Sequence, residues 1–312
     1  MFPKRSSAYK TDFRRKGIFQ KVLLGAIILI LLSLLPAVYF KLQGHGDNER
    51  RELREFFNSG IFEKAYTQSR EMLVEKPIDF YLLTIHGFSA YQLAIAQINS
   101  FDTLSYVNDC IWSLRKAMLF REGASDARIF YVLGKAYYNK GSWYADLAVN
   151  YLEKAKAANY AADDIPEYLG LAYAAIRDYR SSVAAFAEAL TRGPDPSDIL
   201  LLSIARSYQA IEEYESARAY LIRCLEISRD SSTIAAARLL HGNVLVTLGD
   251  FPGAEAEYQK VLEENSENAE AHFQMGELFF LCNDPTRARA EWRRAIRINP
   301  AHAQARSRLN IQ

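Results

Sequence analysis

The chain has 312 residues, of which half are hydrophobic and 24% are charged, so it can bury a substantial apolar core. Its formal net charge of +1 gives no overall attraction to nucleic acid, and we expect no nucleic-acid partner. Only 15 glycines and 9 prolines interrupt the chain, and alternating runs of β-branched residues are missing, so we expect an all-α protein.

The first predicted element is a transmembrane helix at residues 22–40, a run of 19 uncharged positions bounded by Lys21 and Lys41. About 20 apolar residues cross a bilayer as a helix. Residues 1–21 carry seven basic side chains against one acid, so the positive-inside rule predicts a cytoplasmic tail and translocation of everything after the span. Two alternatives stay open: a cleaved signal peptide, and an anchor whose soluble part faces the cytosol. Residues 41–48 are polar with two glycines, which is typical of a short tether.

Residues 49–302 contain a repeating pattern of two apolar helical segments separated by a short break. In three units a glycine in the first segment is followed, at the same spacing, by a large aromatic residue in the second: Gly170 and Phe186, Gly242 and Tyr258, and Gly276 and Trp292. The last two of these units are 34 residues apart. One helix pair cannot bury two apolar faces alone, so the repetition indicates that successive pairs stack on one another.

Four further units match less closely, and their marker residues are Gly60 and Ala65, Gly87 and Leu114, Gly134 and Leu152, and Ala205 and Leu221. The unit that starts at Gly87 has about eleven extra residues, which predicts long helices near residues 80–98 and 103–119. The next unit has two extra residues around Trp143. We count seven units in all.

This spacing resembles the tetratricopeptide repeat (TPR), a helix–turn–helix unit of 34 residues. The resemblance implies an all-α fold in which about seven hairpins at residues 49–302 form a right-handed superhelix, followed by a short C-terminal cap at 303–312. It also implies that the first helix of each hairpin, helix A, lines a concave groove for protein partners. The cap is thin, so we expect Phe273 and Phe280 to be partly open and to offer a place for self-association through the C-terminal end.

The residues that the repeat register directs toward the groove include Tyr81, Phe88, Tyr91, Arg128, Tyr131, Lys135, Tyr138, Asn139, Arg206, Gln209 and Asn243. The tyrosines form an aromatic strip with basic and amide groups beside it, which suits an extended segment or an amphipathic helix of a partner. The alternative is that several tyrosines pack between hairpins and are unavailable. No lysine stands where one TPR subclass holds a C-terminal carboxylate, which disfavours that mode of binding.

Chemical sites are not apparent in the sequence. The three cysteines, Cys110, Cys224 and Cys282, are too few and too widely spaced for a disulfide framework, and each falls in an apolar helical pattern that predicts burial. Acid pairs such as Asp163 and Asp164 lie at predicted helix starts, where capping explains them. We find no catalytic, phosphate-binding or metal-ligand motif, so we expect no enzyme, no cofactor, no metal and no small-molecule substrate.

The span and the repeats together resemble those of bacterial inner-membrane proteins with a short basic cytoplasmic tail and a periplasmic TPR domain. That resemblance implies a single-pass scaffold for assembling a cell-envelope complex or machine, such as those of secretion, envelope or flagellar assembly. Two alternatives stay open: a holdase-type chaperone associated with the translocon, and a structural subunit that oligomerises. The expected partners are other proteins, in the groove, and the membrane, through residues 22–40.

Overall fold

The structure is a computed structural model that describes residues 48–97, 100–192 and 195–310. The predicted tail at 1–21, the predicted span at 22–40 and the tether up to residue 47 lie outside these residues. Among the described helices, none combines the length and the hydrophobicity that crossing a bilayer would require.

The described residues form fifteen α-helices and no β-strand, which confirms the predicted all-α class. The helices are 48–58 (α1), Phe62–Glu75 (α2), Phe80–Ala96 (α3), Ser100–Ala117 (α4), Ala127–Lys140 (α5), Ala145–Ala157 (α6), Ile165–Ala175 (α7), Tyr179–Arg192 (α8), Asp198–Ala210 (α9), Tyr214–Ile227 (α10), Ser231–Thr247 (α11), Phe251–Glu264 (α12), Ala269–Leu281 (α13), Pro285–Ile298 (α14) and Ala303–Asn310 (α15). The long helices of the second unit are present, and both end two residues earlier than the sequence pattern predicts.

Fourteen of the helices pair into seven antiparallel hairpins, from α1 with α2 to α13 with α14, and each hairpin packs on the next. We call the odd-numbered helix of each hairpin helix A and the even-numbered one helix B. The stacked hairpins form an extended core whose buried clusters follow one another along the chain. This arrangement confirms the predicted solenoid of helical hairpins.

Each clear hairpin is closed by a glycine of helix A that faces a large side chain of helix B. A Cβ atom added to Gly276 would lie 2.5 Å from Trp292 Cδ1, and Gly170 and Gly242 face Phe186 and Tyr258 in the same way. The partners are sixteen residues apart in these units, eighteen in the pair Gly134 and Leu152, and 27 in the pair Gly87 and Leu114. The longer separations match the two-residue and eleven-residue insertions inferred from the sequence. Insertions therefore lengthen helices or turns and leave the crossing point unchanged.

The turn between the two helices of a hairpin contains a residue in the left-handed conformation. These residues are Gly60, Gly141, Arg177, Glu212, Gly249 and Asn283. The second hairpin contributes no residue to this list because its turn includes residues 98 and 99, which are not described. This conformation ends a helix, and the N–H of the following residue then bonds back to a carbonyl of helix A, as Asp284 does with Phe279. Arginine and glutamate adopt it at the cost of local backbone strain.

The C-terminal end of the stack is covered more fully than the sequence predicts. Helix α15 packs on α14 and reaches α13: the ring of His302, the residue before α15, lies 4.9 Å from that of Phe273, and Arg308 Nε donates to Glu277 Oε1 over 2.8 Å. Phe273 is therefore buried, whereas Phe280 is half exposed. The expectation of an open end was wrong for Phe273 because α15 supplies an apolar as well as a polar face. Cys110 and Cys224 are buried as predicted, but Cys282 is exposed at the last hairpin turn.

The junction between the first two hairpins buries a histidine. His86 of α3 stacks on Tyr66 of α2 with ring centroids 4.7 Å apart, and its Nδ1 lies 2.8 Å from Ser113 Oγ of α4. Burial lowers the pKa of His86 from 6.5 to about 4, and the opposing effects of the Asp109 and Arg70 charges do not change that direction. The folded chain therefore holds a neutral imidazole at neutral pH.

Replacing Gly276 with valine should lower the free energy of unfolding by about 1–3 kcal/mol, because the new side chain would occupy the space of the Trp292 ring. The gain in helix propensity over glycine, less than about 1 kcal/mol, is too small to offset this. Urea denaturation of the full chain in detergent measures the change. Ala290→Val is the control, because Ala290 is exposed on the adjacent helix and should cost no more than about 0.7 kcal/mol. Equal destabilisation by both variants would contradict the packing role of Gly276.

Acidification should destabilise the first hairpin junction. The pKa of His86 is lower in the folded chain than in the unfolded one. The stability that depends on a neutral His86 is therefore complete above pH 6.5 and is lost as the pH falls toward 4. Between pH 7 and pH 5 the loss should be about 2 kcal/mol. The measurement is urea denaturation at both pH values, with His86→Gln as the comparison. The variant should lose less stability over this interval; an identical pH dependence would show that His86 is not the cause.

Candidate functional site

Helices A form the inner side of the stack. Successive helices A contact one another along the whole chain, from α3 with α5 to α11 with α13, whereas successive helices B contact one another less. A layer of closely spaced helices inside a layer of widely spaced ones must curve toward the closely spaced side. The exposed surfaces of helices A therefore line a concave face, which is where the sequence places the groove.

Lys135 of α5 is the centre of this face in the first half of the stack. Its Nζ donates to the Tyr131 hydroxyl over 2.9 Å and to Asp164 Oδ2 over 2.7 Å, and the Tyr131 hydroxyl donates to the same carboxylate over 2.8 Å. Nζ also lies 4.4 Å from the ring centroid of Tyr168 and 5.9 Å from that of Tyr91. The ammonium group thus joins α3, α5 and α7 through one carboxylate and several aromatic faces.

The electrostatics of this cluster keep Lys135 charged. Only 12% of its side chain is exposed, and burial alone would lower its pKa. The nearby Tyr91, the hydrogen bond to Asp164 and the hydrogen bond to Tyr131 more than offset burial, so the pKa of Lys135 is raised. Burial, acting with the Asp164 carboxylate, raises the pKa of Tyr131 to about 12, although Lys135 opposes it. The cluster is a neutralised ion pair inside an aromatic cage.

Among the other predicted residues of α3 and α5, some are packed against neighbouring side chains and others are exposed to solvent. Tyr91 is buried, and Asn139 Nδ2 donates to its hydroxyl over 3.5 Å. Tyr138 is half-buried against Tyr168, with ring centroids 5.5 Å apart. Arg128 is exposed and pairs with Asp126 over 2.7 Å. Tyr138, Asn139 and Arg128 are therefore the members that offer accessible surface.

The remaining predicted groove residues, outside the Lys135 cluster, lie on α3, α9 and α11 and have different neighbours. Tyr81 and Phe88 contact the first helix: the Arg50 guanidinium lies 5.8 Å from the Tyr81 ring centroid, and Phe88 stacks on Phe57. Arg206 is exposed and Gln209 is half-buried, both on α9. Asn243 accepts a hydrogen bond of 2.6 Å from Tyr258, the residue that covers Gly242. Asn243 thus orients a packing residue, and the prediction of a groove contact gains no support there.

Two residues of the cluster were missed by the sequence reasoning. Asp164 was assigned to capping, but its side chain makes no capping hydrogen bond to α7 and instead binds Lys135 and Tyr131. That assignment was wrong because the competing partners lie on another helix. Tyr168 sits two positions before Gly170, and only the distance to Lys135 places it in the cluster.

An acidic cavity adjoins the cluster. It has a volume of about 360 Å³, and its charged lining consists of four carboxylates, Asp163, Asp164, Glu167 and Asp195. Burial, followed by the Asp164 charge, raises the pKa of Glu167, although Lys135 opposes both. A partner that reaches this end of the face meets negative charge.

Comparison with known proteins agrees with this geometry. Models of the tetratricopeptide repeat match residues 200–231 and 239–303, which span helices α9 to α14 apart from a short gap. The chain thus contains tetratricopeptide repeats in its C-terminal half, and three of the four upstream hairpins have a glycine crossing, at Gly87, Gly134 and Gly170. No functionally curated protein is similar enough in sequence to match.

Solved structures share the fold at low sequence identity. The C-terminal part of a TPR repeat-containing protein from Cytophaga hutchinsonii is 14% identical, with a TM-score of 0.56 over 83% of this chain and 98% of that one. The pilF protein of Pseudomonas aeruginosa is 16% identical, with a TM-score of 0.52 over 72% of this chain and 97% of that one. A chain of the APC/C hetero-tetramer Cut9–Hcn1 is 12% identical, with a TM-score of 0.51, and this chain spans 46% of it. These likenesses establish a helical-repeat solenoid.

Replacing Asp164 with asparagine should lower the free energy of unfolding by about 1–3 kcal/mol, because it removes the charged acceptor of Lys135 and Tyr131. Asp163→Asn is the matched control, since Asp163 is the exposed neighbour in the same loop and should change stability by no more than about 0.5 kcal/mol.

A double-mutant cycle between Asp164→Asn and Tyr131→Phe separates this network from a general charge effect. The two changes should be less than additive in urea denaturation, because each removes the same hydrogen bond. Full additivity, or an equal effect of Asp163→Asn, would contradict the network.

Proposed function

We propose that this protein is a membrane-anchored TPR scaffold that binds a segment of another protein along its concave face during assembly of a cell-envelope complex or machine. The observation that carries the proposal is the convergence of α3, α5 and α7 on one aromatic surface around Lys135. TPR solenoids are generally binding modules, and their function lies in such a surface. A rigid curved face fixed at a membrane brings partners together without chemistry of its own.

The aromatic face suits a protein ligand for a physical reason. Tyrosine offers a large contact area with few rotatable bonds and keeps a hydroxyl for hydrogen bonding. Tyr138 and Tyr168 are half-buried and held by neighbours, so these side chains would lose little conformational freedom when a ligand binds. The protein has therefore already ordered the side chains that the partner would cover.

The charge of the face defines the chemistry of the partner. Lys135 is neutralised by Asp164, so it is a poor receptor for a free carboxylate. The adjoining cavity presents Asp163, Glu167 and Asp195 without a basic residue in its lining. We infer that the bound segment carries apolar or aromatic groups for the tyrosines and a basic group for this acidic end.

The membrane part of the proposal is supported by sequence alone. The uncharged run at residues 22–40 and the basic residues before it favour a single-pass span in a bacterial inner membrane, with the N-terminus in the cytoplasm and the repeats in the periplasm. The alternatives of a translocon-associated holdase and an oligomerising structural subunit stay open. Each of them predicts a different set of molecules on the concave face.

Site-specific photocrosslinking in membranes tests the proposal. A photoreactive residue in place of Tyr138 or Arg206 should capture one or two defined proteins, because both positions lie on helices A. The same residue in place of Ile222 is the control, since Ile222 is 42% exposed on α10, a helix B. Capture of many unrelated clients would favour the chaperone, and capture of a second copy would favour the structural subunit. Equal yields from Ile222, or no protein from Tyr138 and Arg206, would contradict the groove, and solely cytoplasmic partners would contradict the periplasmic placement.

A further inference from the structure

Three aliphatic side chains are strongly exposed at one edge of the first two hairpins. Val74 in the last turn of α2 is 82% exposed, Ile78 in the following loop 74%, and Leu119 just after α4 83%. Single exposed aliphatic residues are ordinary in proteins, but three of them on adjoining turns form a surface that water solvates poorly. We call this surface the entry edge.

Contacts between the loops bring these residues to the same place. Asp79, next to Ile78, pairs with Arg50 at the start of α1. Phe80 lies against Phe120, next to Leu119, with ring centroids 5.8 Å apart. The ends of α2 and α4, the start of α3 and the first described turn of α1 therefore meet at one edge of the solenoid. Ile78 and Leu119 adjoin that meeting point, and Val74 lies four residues before Ile78, where it lines a cavity with Trp112 of α4.

The entry edge is also where the chain comes in from the N-terminal segment. The first described residue of α1, residue 48, lies at this edge, while the predicted span ends at residue 40. The seven residues between them reach at most about 25 Å when fully extended. The opposite edge is farther from the span by the length of α1, which is about 16 Å for its eleven described residues. The chain therefore joins the predicted span at the entry edge and not at the opposite edge.

The exposed charges adjacent in sequence to Ile78 and Leu119 balance, and the two basic residues in the last turn of α4, Arg115 and Lys116, are engaged with Tyr137 and Trp112. Lys76 and Arg121 are exposed beside the aliphatic residues, and so are their neighbours Glu75 and Glu122. A surface built for anionic lipid headgroups would carry an excess of basic residues. This edge suits shallow insertion of apolar side chains into the bilayer interface, driven by burial rather than by charge.

We propose that the entry edge docks on the bilayer that holds residues 22–40, with Val74, Ile78 and Leu119 inserted into its interfacial region. This inference rests on the membrane anchor in the proposed function. Docking fixes the orientation of the first two hairpins, so the concave face is presented to partners at a defined angle.

Fluorescence quenching by lipid tests the docking in the full chain. A Cys282→Ser background leaves Cys110 and Cys224, which are buried, so a single introduced cysteine can be labelled with an environment-sensitive probe. The probe is placed at Leu119, at Gln43 or at Trp143 in phosphatidylcholine vesicles that contain nitroxide-labelled lipid. Gln43 reports the anchor. Trp143 is the control, because it is 94% exposed and lies in the turn between α5 and α6, at the opposite edge.

We expect lipid quenching at Gln43 and Leu119, and quenching at Trp143 that is weaker by about threefold or more. Added salt or anionic lipid should have little effect on the quenching. Quenching at Gln43 alone would overturn the docking and leave the anchor in place. No quenching at any position would overturn the anchor as well. Stronger or equal quenching at Trp143 would show that another surface faces the bilayer. A Leu119 probe that is shielded from water without lipid quenching would show that a protein covers the edge, which also overturns the proposal.

Discussion

The fold depends on the close approach of two helices at a glycine. In each clear hairpin a helix A residue without a side chain lies under a large residue of helix B, as Gly276 does under Trp292. This contact sets the distance and angle between the two helices, so the hairpins that share it present similar surfaces to their neighbours. Equivalent surfaces stack in the same way, and the helices A accumulate on the inner side. The concave face is therefore a consequence of this repeated packing, and no single groove residue determines it.

The concave face combines order with limited charge. Lys135 is held by Asp164 and by aromatic rings from three helices, so its ammonium group contributes to the stack and is largely hidden from a ligand. The parts of the face that a ligand can reach are the tyrosine side chains, the two ends of α5 and the acidic cavity. A binding face of this kind selects partners by shape and by apolar contact, and electrostatic selection is confined to one end.

The two proposed surfaces lie on different parts of the solenoid and can act together. The entry edge is formed by the turns at the end of the first two hairpins, whereas the concave face around Lys135 is formed by α3, α5, α7 and the loops beside the acidic cavity. A chain that touches the bilayer with its turns leaves its inner helices free for protein. This separation suits a scaffold, because membrane attachment and partner binding then compete for no residue.

The sequence by itself determined the helical class, the number of hairpins and the position of the five glycine crossings, including the insertions before Leu114 and Leu152. These features depend on spacing along the chain, which the sequence contains directly. Only the tertiary structure decided that Tyr91 is buried, that Asp164 binds Lys135 rather than capping its helix, and that α15 covers Phe273. Each of these depends on which side chain of a different helix comes near. Such a distance is set by the stacking of hairpins and has no counterpart in local sequence periodicity.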